Sequence, residues 1–348
     1  MKNDFQSLPS LSVIIPVFNE VDYIEDLVHN LEEQSYPNDR IEIVFVDGFS
    51  CDGTYEKLLN LSKETELKIK VIRNEKRITP VSMNLGIIEA SNEYIARLDA
   101  HSRYNPDYLL VGVTELLSDD SLVSVGGFWY PDYEGKSICG RQVAKTFFSP
   151  LLSGWSRYRV NSFTKEKRGL VDTVPYGVFR RDQLIEIGLY NESLIRGQDI
   201  DLYYRLKKRF RGSILITPDM KVFYKLKAND CGSLASRHFK QGLWLFRRDH
   251  GIRPRHWLPL FAFLITVILG FVSIKAVLLL SLFYVSLVSL ILLFEVRESV
   301  DLLLLPYSLL LVFSSHASYV AGLCASSVLL GMNKLGSKRI AKSEKGVG

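Results

Sequence analysis

Charge is almost absent from two long stretches near the C-terminus of this 348-residue sequence. Residues 257–294 carry one charged side chain, Lys275. Residues 302–332 contain no Asp, Glu, Lys or Arg, and His316 is the one side chain there that titrates near neutral pH. A bilayer core needs about 20 apolar residues as a helix, and helices in soluble cores rarely run so long without a polar stripe. The two stretches therefore predict about three transmembrane helices.

Cysteine is scarce as well. The four cysteines, Cys51, Cys139, Cys231 and Cys324, form no Cys-x-x-Cys pair, which argues against a thiolate zinc site or a disulfide framework. The first ten residues are polar and lack the pattern of a secretory signal, so we expect the large N-terminal part to stay in the cytoplasm. The net charge of +5 is too small to indicate a nucleic-acid partner.

Positive charge is concentrated just before the first apolar stretch. Residues 236–256 contain six Arg or Lys, three His and one acidic residue. Such a belt is attracted to anionic headgroups and marks the cytoplasmic side of a membrane. We expect an amphipathic helix at the bilayer surface over residues 233–249.

The N-terminal part alternates short β-branched runs with helical patterns. The predicted strands are 11–17, 41–47, 68–73, 94–99 and 122–128, and the predicted helices between them are 21–34, 54–63, 79–90 and 107–118. Continuous apolar strands alternating with helices are typical of an α/β fold with a mostly parallel sheet covered on both faces. Ligands bind such sheets at the carboxyl ends of the strands.

Acidic residues follow the first two strands. Asp47 ends the second strand in the run VDGFSCDGT, and Glu20 follows the first in PVFNE. A carboxylate there can accept hydrogen bonds from a base or a ribose, and the glycine-containing turn lets backbone approach a ligand. The alternative is a tight turn in which Asp52 caps the next helix.

A second acidic site follows the fourth strand. Asp99 and His101 are two residues apart, so their side chains can converge on one point. An Asp and a His suit a divalent ion that also bridges a diphosphate. An ordinary turn aspartate and a surface histidine would give the same pattern.

Two further segments carry polar side chains that could act on a substrate. Asp199 and Asp201, in GQDIDLYYRL, fall in the first turn of a predicted helix, where one could act as a general base or both could simply charge the helix start. Gln241 and Trp244 lie in the basic belt, where they could line an acceptor site or anchor in the membrane interface.

These motifs occur together and in an order typical of one family. Over residues 10–250 the chain resembles the family 2 glycosyltransferases of the GT-A fold, and among them the succinoglycan-type exopolysaccharide glycosyltransferases. The closer resemblance is carried by DGFSCDGT (47–54), KRITP (76–80), NLG (84–86), DAHS (99–102), VDTV (171–174) and QD (198–199). The apolar C-terminal third fits the family's membrane anchor.

The resemblance implies a donor pocket at the strand ends. Pro16, Asn19 and Glu20 would line the nucleotide site, and Asp47 would recognise uracil or ribose. Arg77 would contact the donor, since a guanidinium suits phosphate.

The resemblance also implies which residues hold the cation and which residue acts as the base. Asp99 matches the first acid of the D-x-D motif and would hold a divalent cation, Mg²⁺ or Mn²⁺, with the diphosphate. His101 replaces the last acid of that motif, and Gly48 replaces the second Asp of V-D-D. Asp199 matches the Asp of the E-D pair and would be the base, with Gln198 in place of the Glu. Asp201, Gln241 and Trp244 are the residues expected to contact the acceptor.

We therefore expect an inverting, metal-dependent transferase that moves a sugar from a nucleotide-diphosphate sugar, a UDP-sugar in the first instance, to a polyprenyl-diphosphate-linked oligosaccharide in exopolysaccharide or cell-surface glycan synthesis. Three alternatives stay open. They are a polyprenyl-phosphate sugar synthase of the same fold, a processive polysaccharide synthase, and a non-catalytic membrane protein that binds nucleotide sugars.

The expected domain order follows from these assignments. It comprises a cytoplasmic GT-A domain (1–230), a basic interfacial helix (231–256), membrane helices (257–332) and a disordered basic tail (333–348), in a multi-pass inner or plasma membrane protein. Two, three or four crossings stay open, and an oligomer is compatible with the sequence.

Overall fold

The computed structural model describes residues 8–247, 256–296 and 298–344, and the side chains of those up to 327. The chain forms two compact units. The first comprises Met1–Glu134 and Ser156–Leu226, and the second comprises Gly135–Trp155 and Lys227–Gly348. This grouping differs from the expected linear domain order, because residues 135–155 belong with the C-terminal helices.

The first unit begins with alternating strands and helices. The strands are β1 (Leu11–Val17), β2 (Ile41–Asp47), β3 (Lys68–Arg73) and β4 (Tyr94–Arg97), and the helices between them are α1 (Ile24–Glu32), α2 (Thr54–Glu64) and α3 (Thr79–Glu89). The strands lie in the order β3-β2-β1-β4 and every neighbouring pair is parallel. The carboxyl ends of β1, β2 and β4 therefore meet at one edge, as predicted.

The rest of the sheet is mixed. Five further strands are β5 (Ser102–Tyr104), β6 (Leu122–Pro131), β7 (Gly169–Val171), β8 (Val178–Arg180) and β9 (Ser213–Tyr224). The sheet continues from β4 as β8-β6-β9-β5, with β7 also paired to β9. Strand β8 is antiparallel to β4 and β6, and β5 and β7 are antiparallel to β9. Strands β5, β7 and β8 have three residues each, too few for a sequence pattern to reveal.

The helices of the first unit are completed by α4 (Tyr108–Ser118), α7 (Arg181–Glu186) and α8 (Gln198–Phe210). One apolar cluster joins the sheet to α3 and α8. The contact between α3 and β1 is close, since a Cβ on Gly86 would lie 2.3 Å from Cγ2 of Ile14. This packing fixes the strand ends relative to the helices that follow them.

The second unit is helical. Its helices are α5 (Ile138–Phe148), α6 (Pro150–Ser153), α9 (Cys231–Leu243), α10 (Leu258–Val272), α11 (Ile274–Phe294), α12 (Ser299–Leu303) and α13 (Leu305–Glu344). Polar contacts attach residues 135–155 to its C-terminal part. Gln142 Nε2 donates to Ser308 Oγ at 2.6 Å, and Lys145 Nζ lies 2.6 Å from Asp301 Oδ1.

Two helices among the described residues are long and apolar enough to cross a membrane, Ile274–Phe294 and Leu305–Ser327, where about three were expected. The first apolar stretch divides at Ser273, whose hydroxyl caps α11 by accepting from the amide of Ala276. The division leaves α10 with 15 residues, short of the roughly 20 that span a bilayer.

The ends of the predicted membrane region also differ from expectation. Helix α9 ends at Leu243 and a 3₁₀ turn covers Leu245–Arg247, so the helix ends before the predicted residue 249. The last two residues of the helix predicted over 233–249 lie outside the described residues. Helix α13 continues to Glu344 through the segment expected to be disordered. That segment contains four Lys, one Arg and no proline, a composition that permits a helix.

Candidate active site

The loops that follow β1 and β2 are bound to each other. The backbone amide of Asn19 donates to Ser50 Oγ at 2.9 Å, and Asn19 Oδ1 accepts from the amide of Cys51 at 3.0 Å. Asn19 has a φ of 53°, a left-handed conformation that Asn tolerates better than most residues. Asn19 thus shapes the predicted nucleotide site by bridging its two loops.

Asp52 strengthens the same junction. Its carboxylate accepts from the Val21 amide at 3.2 Å and from the Thr54 hydroxyl at 2.6 Å, and Thr54 Oγ1 in turn accepts from the Glu20 amide at 2.9 Å. Burial raises the pKa of Asp52, but these hydrogen bonds lower it by more, so the carboxylate stays ionised. Asp52 therefore has a structural role at the turn.

Asp47 lies at the carboxyl end of β2 with its side chain fully buried. Its two carboxylate oxygens are 3.2 and 3.3 Å from the amide nitrogen of Ser50, and Oδ2 is 3.8 Å from Nε of Arg73. On the preceding strand, half-buried Pro16 pairs in register with Val46. The predicted base- or ribose-binding carboxylate is thus at the expected sheet edge, where it also holds its own turn.

Arginines surround the ring of Phe49 in the turn after Asp47. The guanidinium carbons of Arg73 and Arg77 lie 4.9 and 5.8 Å from the centre of the ring. Arg77 is exposed and has a φ of 56°. An exposed guanidinium can bind a phosphate, as predicted for Arg77.

His101 bonds to Glu20. Its Nδ1 is 3.3 Å from Glu20 Oε1, and its ring meets that of Tyr224 edge-on at 5.6 Å. The backbone carbonyl of His101 accepts from the amide of Lys225 at 3.2 Å. The structure therefore joins two residues that were assigned separate roles, Glu20 for the donor and His101 for a metal.

The Asp99 carboxylate accepts one hydrogen bond and forms one ion pair. Tyr176 donates its hydroxyl to Oδ2 at 2.9 Å, and Nη2 of Arg97 is 3.6 Å from Oδ1. Burial and the charge of Asp99 raise the pKa of Tyr176, so its phenol remains a proton donor. The Asp99 side chain is 21% exposed, which leaves it accessible to a ligand.

Asp199 is the second residue of α8, and the helix is preceded by Gly197, whose φ of 79° suits glycine. Nη1 of Arg97 donates to Asp199 Oδ1. The Asp199 side chain is 28% exposed. Burial raises the pKa of Asp199 by more than the charge of Arg97 lowers it, and nearby Asp99 raises it further. A carboxylate with a raised pKa is a stronger base and is suited to accept a proton.

Arg97 was not anticipated from the sequence, although it contacts both Asp99 and Asp199. Burial lowers the pKa of Arg97, but the two carboxylates raise it by more, so the guanidinium stays charged. The sequence did offer a signal, because Arg97 is a basic residue in an otherwise apolar strand, two positions before Asp99. Tyr176 was missed because a lone tyrosine in a loop carries no such signal.

Asp201, Gln241 and Trp244 are the residues predicted to contact the acceptor. Asp201 is 5% exposed, and its carboxylate accepts from Nε of Arg205 at 2.8 Å. Two helical positions separate it from Asp199, so the two carboxylates point in different directions. Gln241, near the end of α9, and Trp244, directly after it, belong to the second unit. Their contact with an acceptor remains a prediction.

The residues fit a divalent cation only if a substrate completes the site. In the described part of the chain, no three His, Cys, Asp or Glu side chains are grouped to hold a metal. Mg²⁺ and related ions are commonly held by one or two carboxylates together with substrate phosphates, and accessible Asp99 meets that requirement. His101 Nδ1 is directed to Glu20, so it fits less well than Asp99.

Comparison with known proteins defines the class of this site. Residues 12–187 match the family described as Glycosyl transferase family 2. The match covers half of the chain, and the protein belongs to this family, as its motifs predicted.

Two named relatives illustrate the similarity. One is the dolichyl N-acetyl-α-D-glucosaminyl phosphate 3-β-D-2,3-diacetamido-2,3-dideoxy-β-D-glucuronosyltransferase of Methanococcus voltae, 32% identical over 205 residues, which are 57% of this chain and 61% of the relative. The other is the succinoglycan biosynthesis protein ExoA of Rhizobium meliloti, 28% identical over 212 residues, 60% of this chain and 61% of the relative. The matches span about three fifths of the length of each relative.

Solved structures share the fold. The mannosyltransferase PcManGT of Pyrobaculum calidifontis, solved with GDP-mannose and Mn²⁺, aligns over 93% of this chain and 88% of its own, with a TM-score of 0.54 and 17% identity. GalNAc-T7, solved with UDP, GalNAc and Mn²⁺, aligns over 64% of this chain and 44% of its own, with a TM-score of 0.51 and 19% identity. The predicted GT-A fold is confirmed.

Proposed function

We propose that this family 2 glycosyltransferase moves a sugar, with inversion, from a nucleotide-diphosphate sugar to a hydroxyl of a polyprenyl-diphosphate-linked oligosaccharide. The observation that carries the proposal is that Asp99 and Asp199 contact the same guanidinium, that of Arg97. A carboxylate that could hold the cation of the donor diphosphate thus lies beside a carboxylate that could accept a proton.

The donor is assigned to the edge formed by the ends of β1, β2 and β4. Asp47, Asn19, Glu20 and half-buried Pro16 would enclose the nucleoside, and exposed Arg77 would contact its phosphates. UDP-sugars are the first donors to test, because a carboxylate at the Asp47 position can accept from the uracil N–H or a ribose hydroxyl.

Asp99 would hold a divalent cation, Mg²⁺ or Mn²⁺, together with oxygens of the diphosphate, and His101 is the second candidate ligand. When bound, such a cation neutralises the charge of the leaving diphosphate. Tyr176 fixes the orientation of Asp99 through its hydrogen bond at 2.9 Å.

Asp199 would accept the proton of the attacking hydroxyl. The hydroxyl oxygen forms a bond to the anomeric carbon as the bond from that carbon to the diphosphate breaks on the opposite face. One displacement inverts the configuration, and no second carboxylate nucleophile is needed, by analogy with inverting hydrolases. The raised pKa of Asp199 suits this role.

A lipid-linked acceptor is proposed from three features. Ile274–Phe294 and Leu305–Ser327 are apolar enough to enter a membrane, residues 236–256 are strongly basic, and the Methanococcus voltae relative is named for action on a dolichyl-phosphate-linked sugar. In the proposal, the chain is a multi-pass membrane protein with its catalytic unit on the cytoplasmic side, and Gln241 and Trp244 contact the acceptor, whereas buried Asp201 pairs with Arg205.

The experiment compares membranes containing the wild-type chain, Asp199→Asn, or the matched control Asp182→Asn, which alters an exposed carboxylate on α7. Each receives labelled UDP- or GDP-sugars, a bacterial lipid extract, and Mg²⁺, Mn²⁺ or EDTA. We expect label in a lipid-linked oligosaccharide with wild type and control, and a loss of about 10²- to 10⁴-fold with Asp199→Asn.

The products separate the alternatives. A lipid phosphate carrying one sugar would identify a polyprenyl-phosphate sugar synthase, and a long polymer would identify a processive synthase. Nucleotide binding with no transfer to any lipid would refute the enzymatic proposal. Full transfer by Asp199→Asn would refute the assignment of the base.

A further inference from the structure

We infer that Arg97 is a positioning residue that sets the separation between Asp199 and Asp99. The inference rests on the proposed function, because it assigns Arg97 to the base and to the donor-binding carboxylate of that site. It adds a residue to which neither the sequence motifs nor the proposed chemistry gave a role.

The root of the Arg97 side chain is fixed. Arg97 ends β4, where its Cα pairs with that of Ile14 on the neighbouring parallel strand β1. Its amide donates to the carbonyl of Gly177 at 3.0 Å. With 8% of its side chain exposed, Arg97 has little freedom to choose another conformation.

The two terminal nitrogens of the guanidinium are shared between the carboxylates. Nη1 donates to Asp199 Oδ1, and Nη2 is 3.6 Å from Asp99 Oδ1. These nitrogens belong to one rigid plane, so the positions of the two carboxylates are coupled. An ammonium group is a point charge without this geometry and cannot hold both carboxylates at the same spacing.

The partners of Arg97 come from different parts of the chain. Asp99 follows the same strand, whereas Asp199 lies on α8, about a hundred residues later. Both are acidic and would repel one another without a cation between them. The guanidinium therefore holds the start of α8 against the end of β4. A displacement of about 1 Å between reacting groups can cost about 100-fold in rate.

A purely structural arginine is available for comparison. Arg180, on β8, has a side chain that is 13% exposed, and it donates to the carbonyl of Leu122 at 2.7 Å and lies 3.1 Å from Asp120. Replacing each arginine by lysine keeps the charge and removes the planar pair of terminal nitrogen donors. Any loss specific to Arg97→Lys then reports on the site.

The test is a double-mutant cycle on the full chain in detergent. Arg97→Lys, Asp199→Asn, the double variant and Arg180→Lys are assayed with the labelled nucleotide sugar and lipid extract that support wild-type transfer. Binding of UDP or GDP with Mn²⁺ and thermal unfolding are measured in parallel. The cycle separates an effect exerted through Asp199 from an independent one.

We expect Arg97→Lys to lower kcat by about 10- to 100-fold, to change nucleotide affinity less than about threefold, and to add less than about a twofold loss in the Asp199→Asn background. Arg180→Lys should keep wild-type kcat. Equal losses from Arg97→Lys in both backgrounds, or an unchanged kcat, would overturn the inference.

The cycle distinguishes failure of the proposed function from failure of the positioning role of Arg97. If Asp199→Asn alone retains transfer, the assigned base is wrong and the proposed function fails at that point. If Asp199→Asn loses transfer while Arg97→Lys adds a full independent loss, the base stands and the positioning role fails. Should Arg97→Lys lose its cooperative unfolding transition, Arg97→Gln, which keeps a planar donor for one carboxylate, is read in the same cycle against the same thresholds.

Discussion

Asn84 and Tyr190 are joined by a pair of hydrogen bonds that run in opposite directions. Nδ2 of Asn84 donates to the carbonyl of Tyr190 at 2.9 Å, and Oδ1 accepts from the Tyr190 amide at 2.8 Å. Nδ2 is also 3.1 Å from Oε1 of Glu192. One buried side chain on α3 thereby fixes the loop that leads to α8 and to Asp199.

Replacing Asn84 by alanine should destabilise the catalytic unit, because the buried backbone groups of Tyr190 would lose their partner. The expected cost is about 1–3 kcal/mol, read as a lower thermal unfolding temperature of the full chain in detergent. Ser62→Ala, which removes an exposed hydroxyl bonded to the Leu59 carbonyl, should change stability by less than about 0.5 kcal/mol. Equal effects of the two substitutions would contradict this role for Asn84.

Glu42 predicts a dependence of stability on pH. Its side chain is 1% exposed and accepts from Ser12 Oγ at 2.7 Å, from the Ser91 amide at 2.8 Å and from Lys70 Nζ at 2.7 Å. Burial raises the pKa of Glu42, but these bonds lower it by more, to about 2. The folded-state pKa is depressed, so the stabilisation is complete above about pH 4.5 and is lost as the pH falls toward 2.

The measurement is the difference in unfolding free energy between wild type and Glu42→Gln. At pH 7 we expect wild type to be more stable by about 1–3 kcal/mol, and the difference should shrink as the pH is lowered from 4.5. Glu64→Gln, at the last turn of α2, is the control. A Glu42→Gln difference that is constant with pH would show that the Glu42 charge contributes nothing.

The parallel half of the fold could be predicted because β1, β2 and β4 are largely apolar runs, and each has a residue of the site at its end or within three positions after it. Asp47 and Asp99 lie at the carboxyl ends of β2 and β4, as the predicted strands indicated. Arg97 could not be assigned, since nothing local says which distant carboxylate a buried arginine meets. The link between Glu20 and His101 also depends on the order of β1 and β4 in the sheet. The attachment of residues 135–155 to α13 involves partners more than 150 positions apart, such as Gln142 and Ser308.

Asp199 should give the transfer rate an acidic limb. A base must be deprotonated to act, and burial raises the pKa of Asp199 above its ordinary value of 3.8. The rate should therefore fall as the pH is lowered through that raised pKa, at a higher pH than for an exposed aspartate. A pH–rate profile under donor saturation measures the limb. The residual rate of Asp199→Asn should lack it, and a limb that survives the substitution belongs to another group.

The cation assignment is tested by nucleotide binding. Asp99→Ala should abolish the part of UDP or GDP affinity that depends on Mn²⁺, a decrease of at least about tenfold. His101→Ala should have a smaller effect, because His101 Nδ1 bonds to Glu20. Titrations with Mn²⁺ and with EDTA give both values. Unchanged dependence on Mn²⁺ in Asp99→Ala would move the cation site elsewhere, and an unaltered His101→Ala would remove His101 from it.

Two glycines bring α9 and α13 into backbone contact within the second unit. A Cβ on Gly242 would lie 2.2 Å from the carbonyl oxygen of Tyr319, and one on Gly322 would lie 2.2 Å from that of Phe239. Neither backbone can yield as a flexible side chain would. Gly322→Ala should therefore separate the helices at a cost of about 1–3 kcal/mol. Gly270→Ala is the matched control, because a Cβ there meets nothing within 4 Å.

A disulfide reports the separation directly. Cys231 Sγ lies 3.1 Å from Ser314 Oγ, so Ser314→Cys should form a bond to Cys231 under mild oxidation. Adding Gly322→Ala should slow that reaction several-fold and lower the unfolding temperature. Gly270→Ala should leave the rate of disulfide formation unchanged, and alanine should slightly favour α10, by up to about 1 kcal/mol. If Gly322→Ala and Gly270→Ala crosslink equally fast, the close approach of α9 and α13 does not require glycine.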